Sequence, residues 1–586
     1  MKDFLKYTLA SIVGLLAFSI IVTIISIVSL VGIAASSSTT TTVNENSLFK
    51  LDLKGEVTER MIDNPFASFM SEEQTALGLN DILSSIQKAA ENEYIKGIYL
   101  EAGGIMASPA STEEIRNALM RFKQTGKFIV AYGDNYTESD YYICSVADKV
   151  ILNPQGMVDW HGTASQTIYF KDLLAQLGVE MEVFKVGTYK SAVEPYTSME
   201  MSDENREQIT AYITSIWDNM VEGVSLSRGI SAKLLNEYAD RYIAFEGAEA
   251  SLTAGLVDTL LYMDGTKAYL KEKMEIKEDD RLSVLSLEEV KNIQKNVPLD
   301  KSGNIIAVYY AYGGIDDTSS PEEGIDSEKV IKDLRLLRED ETIQAVVLRV
   351  NSPGGSAYGS EQIWNEVLKM KAEKPVVVSM GDYAASGGYF ISLSADYIVA
   401  EPATFTGSIG VVGGKIVLQK LWDKLDINWG EISFGDNAGI LSYNHPFNKK
   451  EQEVFNASLD RIYKDFTTKV MSARKFDEAK IDKIARGRVW LGKDAFDLGL
   501  VDALGGLDVA IIKAKELAKI NQDDKFSLMY YPRRQSFQEK LVKFIENGGG
   551  IPAVKMLEKN NINIKDIKML QYLRYDTVML PFKVSM

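Results

Sequence analysis

The chain has 586 residues, 46% apolar and 25% charged, with a formal net charge of −18. It is too long for one hydrophobic core, so it divides into domains, and its acidity argues against nucleic-acid phosphates as partners. A single cysteine, Cys144, excludes an internal disulfide, and two histidines, His161 and His445, are too few for a zinc site or a histidine-based triad, so no metal or cofactor is expected.

At the amino end, Lys2 and Lys6 precede an uncharged run from Tyr7 to Ala35. As a helix this run would reach roughly 40 Å, enough to span a bilayer and longer than the apolar core of a cleavable signal peptide. Residues 1–35 are therefore expected to be a single transmembrane anchor. The lysines on the short side keep the amino end cytoplasmic and export the body. Residues 36–47, rich in Ser and Thr, form a flexible tether.

Beyond the tether the sequence repeats itself at a spacing of 248 residues. IKGIYLEAGG from Ile95 returns as IQAVVLRVNSPGG from Ile343, and GDNYTESDYYICSVAD from Gly133 returns as GDYAASGGYFISLSAD from Gly381. The repeats occupy residues 48–274 and 304–520, joined by a linker at 275–303 and followed by a tail, 521–586, of uncertain role. Short β-branched runs such as VVVSM alternate with amphipathic stretches such as SEKVIKDLRLLRED, where Val330, Leu334 and Leu337 share a face. This alternation predicts an α/β fold with largely parallel strands.

The chemistry gathers in the second repeat. VVVSM is expected to end at a Gly-Asp turn, leaving Ser386 at the mouth of the following helix, beside unpaired N–H groups of the kind that stabilise an oxyanion. Gly387 and Gly388 keep that mouth open, and the Asn351–Ser356 loop brings Gly354 as a second candidate N–H donor beside Gly387. In the first repeat the position of Ser386 is Glu138, with Ser139 and Asp140 in place of the glycines. That repeat instead has Lys190 in VGTYKSAVEPY, whose counterpart is Ala438. One half has the serine without the lysine, and the other the reverse.

Over roughly residues 1–520 these paired motifs resemble the long form of the bacterial signal peptide peptidase (protease IV) family. The resemblance implies two crotonase- or Clp-protease-like repeats and a serine endopeptidase with Ser386 as nucleophile and Lys190 as general base. Ser408 of TGSIG would orient the lysine. It also implies a homotetramer in the bacterial inner membrane, its catalytic body periplasmic, acting on cleaved signal peptides and other apolar peptides. A lysine working as a base near neutral pH needs its amine shifted by about 4 kcal/mol, which a dry cleft between the repeats can supply. Two rival readings are a crotonase-type acyl-CoA enzyme, which would not need Ser386, and an inactive membrane-anchored scaffold, which is how the first repeat reads alone.

Overall fold

Runs dense in Val, Ile and Leu fit strands buried on both faces, and here they become two largely parallel sheets, the second with one antiparallel pair at its edge. The computed structural model describes residues 41–61, 76–293, 304–317, 324–521 and 524–533, with four isolated positions nearer the amino end. Nearly all of the expected anchor, residues 36–40 of the tether, the last part of the linker and the tail beyond residue 533 lie outside the described residues. Among the described residues no helix is long and apolar enough to cross a membrane.

The first repeat contributes β1 (Ser47–Thr58), β2 (Ala76–Gly78), β3 (Ile95–Met106), β4 (Phe128–Gly133), β5 (Lys149–Leu152), β6 (Glu180–Val186), β7 (Thr259–Leu260) and β8 (Ser283–Leu285). The second contributes β9 (Ile305–Tyr312), β10 (Ile315–Asp316), β11 (Ile325–Asp326), β12 (Ile343–Ser352), β13 (Val376–Ala385), β14 (Tyr397–Ala400), β15 (Phe405–Gly407), β16 (Val411–Val417), β17 (Val489–Leu491), β18 (Ala503–Leu504) and β19 (Ser527–Tyr531). The spatial order β1-β3-β4-β5-β7 in one sheet is repeated as β9-β12-β13-β14-β18 in the other. Alternate residues of β12 serve two cores. Val346, Leu348 and Val350 pack with Val330, Leu334 and Leu337 of the helix Ser327–Glu339, while Ala345 and Val347 pack with Leu507, Ala510 and Ala514 on the opposite face.

Three local features differ from the sequence expectation. The strand VVVSM does not end at Gly381-Asp382 but continues to Ala385. A register shift opposite Val350–Ser352 absorbs the irregularity. There the Asn351 side chain takes over the ladder, accepting from Tyr383 N–H (3.1 Å) and donating to Asp382 (3.0 Å). The linker region is not a simple spacer, because β8 pairs with β1. From the tail, β19 adds an edge strand beside β9.

The two repeats are joined along a seam. β6 pairs antiparallel with β16, from Val186 opposite Val411 to Glu180 opposite Val417. Phe405, Val489 and Leu491 of the second repeat sit in the core of the first. Beside them lies a buried ion cluster in which Arg349 of β12 meets Glu59 at 3.0 Å and Glu114 at 2.7 Å, both from the first repeat. Removing one member of such a cluster leaves buried charge uncompensated, at a cost of about 3–5 kcal/mol. Arg349→Met is therefore expected to lower the midpoint of thermal unfolding, and Glu59→Gln with Glu114→Gln in the same chain to restore part of it. Calorimetry showing an unchanged midpoint for Arg349→Met would contradict this account of the seam.

Candidate active site

Ser386 stands between β13 and the helix Gly387–Ser392, with φ 58° and ψ −114°. A non-glycine residue in that region is strained by about 1–3 kcal/mol and persists only where its surroundings over-determine it. Here both peptide groups are tied: Ser386 N–H donates to Gly407 O, and Ser386 O accepts from Phe390 N–H, each at 2.8 Å. The Asn351–Ser356 loop presses against the helix mouth. A Cβ on Gly387 would lie 2.6 Å from Ser360 Oγ and 3.1 Å from Gly354 Cα, and one on Gly388 would lie 2.5 Å from Ser352 O. Gly354 and Gly387, expected as paired N–H donors, are thus adjacent, and Gly354 N–H presently donates a 3.2 Å bond to Ser352 Oγ.

Lys190 reaches this point from the other repeat, on the loop that follows β6. The loop is clamped against Arg486 and Gly487. Tyr189 N–H donates to Arg486 O at 2.9 Å, and a Cβ on Gly487 (φ 79°) would come within 2.7 Å of Lys190 Cβ. Lys190 Nζ lies 2.8 Å from Ser386 Oγ, 2.9 Å from Ser408 Oγ and 3.3 Å from Ser408 O. Ser408, also at positive φ (49°), is held by its N–H bond to Arg488 O at 2.7 Å. The structure thus brings all five expected residues, Ser386, Lys190, Ser408, Gly354 and Gly387, to one place.

Lys190 is 1% exposed, and burial lowers its amine from the ordinary lysine value to about 7. Between about pH 7 and 10 the unfolded chain holds a proton that the folded chain does not, so this group makes stability rise with pH across that window. At 1.36 kcal/mol per pH unit, the burden at pH 7 is roughly 4 kcal/mol, more than two neutral hydrogen bonds of about 1 kcal/mol each return. Lys190→Met should accordingly unfold at a higher temperature than the parent at pH 7, with the advantage shrinking toward pH 10. Scanning calorimetry that found no gain at pH 7 would show that the amine is not held against its hydration.

The corresponding place in the first repeat is filled by carboxylates. Glu138 Oε1 accepts from the N–H groups of His161 and Gly162, both at 2.7 Å. Asp140 accepts from Gly104 N–H (3.0 Å) and Ile105 N–H (3.2 Å), the counterparts of Ser352 and Pro353. His161 Nδ1 lies 2.9 Å from Asp159 Oδ1, and His445 Nδ1 lies 2.9 Å from Pro446 O. Cys144 is fully buried, and desolvation pushes its thiol well above the usual value.

Beside Gly387 opens a cavity of about 440 Å³ lined by Tyr358, Phe390, Val411, Ile462 and Phe466, with Arg461 and Asp465 also on its wall. The clamp residues Arg486, Gly487 and Arg488, and the buried Gln208 described below, were not singled out in the sequence.

Comparison with known proteins gives the class to which this fold belongs. Residues 318–402 match Clp protease, and the repeats have a Clp-protease-like fold. Residues 121–277 and 369–521 match peptidase family S49. Protease 4 of Salmonella typhi is 39% identical over 77% of this chain and 74% of its own length, and Protease 4 of Haemophilus influenzae 35% identical over 83% and 82%. The chloroplastic serine protease SPPA of Arabidopsis thaliana is 31% identical over 84% and 72%. The chain belongs to peptidase family S49 and is a serine peptidase.

Proposed function

We propose that the protein is a membrane-anchored endopeptidase working through a Ser386–Lys190 dyad. The observation that carries this reading is the 2.8 Å contact between an amine lowered to about 7 and a hydroxyl at a helix mouth. Ser386 Oγ adds to the scissile carbonyl while neutral Lys190 takes its proton. Ser408 Oγ orients the amine. The Gly354 and Gly387 N–H groups receive the oxyanion, Gly354 exchanging its long bond to Ser352 for the stronger charged acceptor. The Lys190 ammonium then protonates the departing amine. Water, deprotonated by Lys190, releases the acyl group from Ser386 by the same steps.

Apolar peptides are the proposed substrates, cleaved signal peptides among them. The apolar lining of the cavity beside Gly387 supports this. So does the similarity of 34% of the chain to a protein of Enterococcus faecium called a putative signal peptide peptidase. The uncharged run from Tyr7 to Ala35 supports attachment to a bacterial inner membrane with the body on its outer side. A homotetramer belongs to the same proposal. Exposed Ile168, Leu173, Leu177, Ile432 and Phe434 provide apolar surface for such contacts.

A fluorogenic apolar peptide tests the mechanism. Ser386→Ala and Lys190→Ala should each lower kcat by about 10³-fold or more, and Ser408→Ala by roughly 10- to 100-fold. Because the base must be neutral, kcat/KM of the parent should rise with pH through about 7 and then level. Cleavage that survives both alanine changes in the dyad rejects the mechanism.

A further inference from the structure

The base-bearing loop is fastened by a residue outside the dyad. Gln208 lies on the helix Asp203–Arg228 of the first repeat and is 1% exposed. Its Nε2 is 3.1 Å from Tyr189 O, 2.7 Å from Ser191 Oγ and 3.0 Å from Asn205 Oδ1. Its Oε1 accepts from Val489 N–H at 3.2 Å. Tyr189 and Ser191 flank Lys190, while Val489 follows Arg488, whose carbonyl holds Ser408 N–H at 2.7 Å. One buried amide therefore bridges the two neighbours of the amine and the strand that anchors its hydroxyl partner.

The orientation of that amide is itself fixed. Asn205 Oδ1 faces Nε2 because Asn205 Nδ2 donates to Glu194 Oε2 at 3.0 Å, and Glu194 also accepts from Ser202 Oγ at 2.6 Å. A planar amide is the side chain that offers donors on one side and an acceptor on the other in this span. The matching helix of the second repeat, Lys449–Arg474, has the same 26-residue length and begins after Asn448 as the first begins after Ser202. In that alignment the counterpart of Gln208 is Val454, which is 47% exposed. The amide accompanies the lysine and is absent from the copy without it.

We propose that Gln208 is a positioning residue, latching the Lys190 loop of the first repeat to β17 of the second so that Lys190 Nζ stays within bonding distance of Ser386 and Ser408. This rests on the Ser386–Lys190 reading. A displacement of about 1 Å in a reacting group costs on the order of 100-fold. Gln208 is not among the residues that line the cavity, so the proposal gives it no part in substrate binding.

The test uses the full chain with Gln208→Met, a near-isostere lacking both polar groups, beside Ser386→Ala and Lys190→Ala. With the fluorogenic peptide, Gln208→Met is expected to lose roughly 30- to 100-fold in kcat per folded molecule, with KM within about threefold. The acid limb of its pH profile should move upward by about one pH unit or more, because a loosened, wetter amine regains its proton. A purely structural role would lower the unfolding temperature and leave that limb in place. A kcat and limb equal to the parent's, or a loss with the limb unmoved, overturns the proposal. Should Gln208→Met not fold, Ser191→Ala, which removes one acceptor of the same amide, is read by the same limb and the same split between kcat and KM. If the two dyad variants still cleave, the Ser–Lys reading has failed. If they are inactive and Gln208→Met behaves as the parent, only the latch has failed.

Discussion

An amine buried without solvent governs the design of this molecule. Lys190 is enclosed on all sides, and its contacts are hydroxyl and carbonyl oxygens from the other repeat. Such a group opposes folding at neutral pH, so the surrounding seam must offset a burden of several kcal/mol. The seam has the means: a seven-residue antiparallel pairing of β6 with β16, aromatic and aliphatic side chains of one repeat in the core of the other, and the Arg349 cluster with Glu59 and Glu114. Each of these crosses between repeats. The interface and the site are therefore one construction, and neither repeat alone contains the set Ser386, Lys190 and Ser408.

Duplication explains how such a split site keeps its frame. The strand order is the same in both sheets, yet the loops at the helix mouth have diverged in opposite chemical directions. In the second repeat, glycine at 387 and 388 lets the Asn351–Ser356 loop approach the backbone closely, leaving room only for the serine. In the first, Glu138 accepts from the N–H groups of His161 and Gly162, and Asp140 from those of Gly104 and Ile105, so carboxylates tie the helix mouth to its neighbouring loops. One copy keeps a hydroxyl at the helix mouth, and the other fills that place with carboxylates already bonded to backbone N–H groups. The first repeat then contributes through a different segment, the loop after β6, whose counterpart near Ala438 forms no strand pairing of its own.

Much of this was readable from the residues. The 248-residue repeat, the buried parallel strands, and the face of Val330, Leu334 and Leu337 follow from patterns that local chemistry enforces, whereas the meeting of Ser386 with Lys190, 196 residues apart, was implied by the family resemblance. What escaped depends on tertiary contacts. Gly381-Asp382 has the composition of a turn, but the Asn351 side chain holds it in a strand, and no local rule anticipates a partner 30 residues away. SVL and SLMYY are too short to stand out, and they become β8 and β19 because an open sheet edge lies beside them. Gln208 was illegible for the same reason. A glutamine in the first turns of a helix is ordinary until Tyr189, Ser191 and Val489 surround it.

Dryness and access pull against each other at this site. The amine enters from the first repeat through the Gly187–Lys190 loop, sealed by the backbone of Arg486 and Gly487. The cavity opens at Gly387 and Val411, the latter paired with Val186 just before that loop, against the helices Ala357–Lys371 and Lys449–Arg474. A peptide held in that cavity lies beside the helix mouth that carries Ser386. The glycines at the helix mouth set the limit on this approach. A side chain at Gly387 would strike Ser360 and Gly354, and one at Gly388 would strike Ser352, so only glycine lets the Asn351–Ser356 loop and the helix mouth stand this close beside the serine.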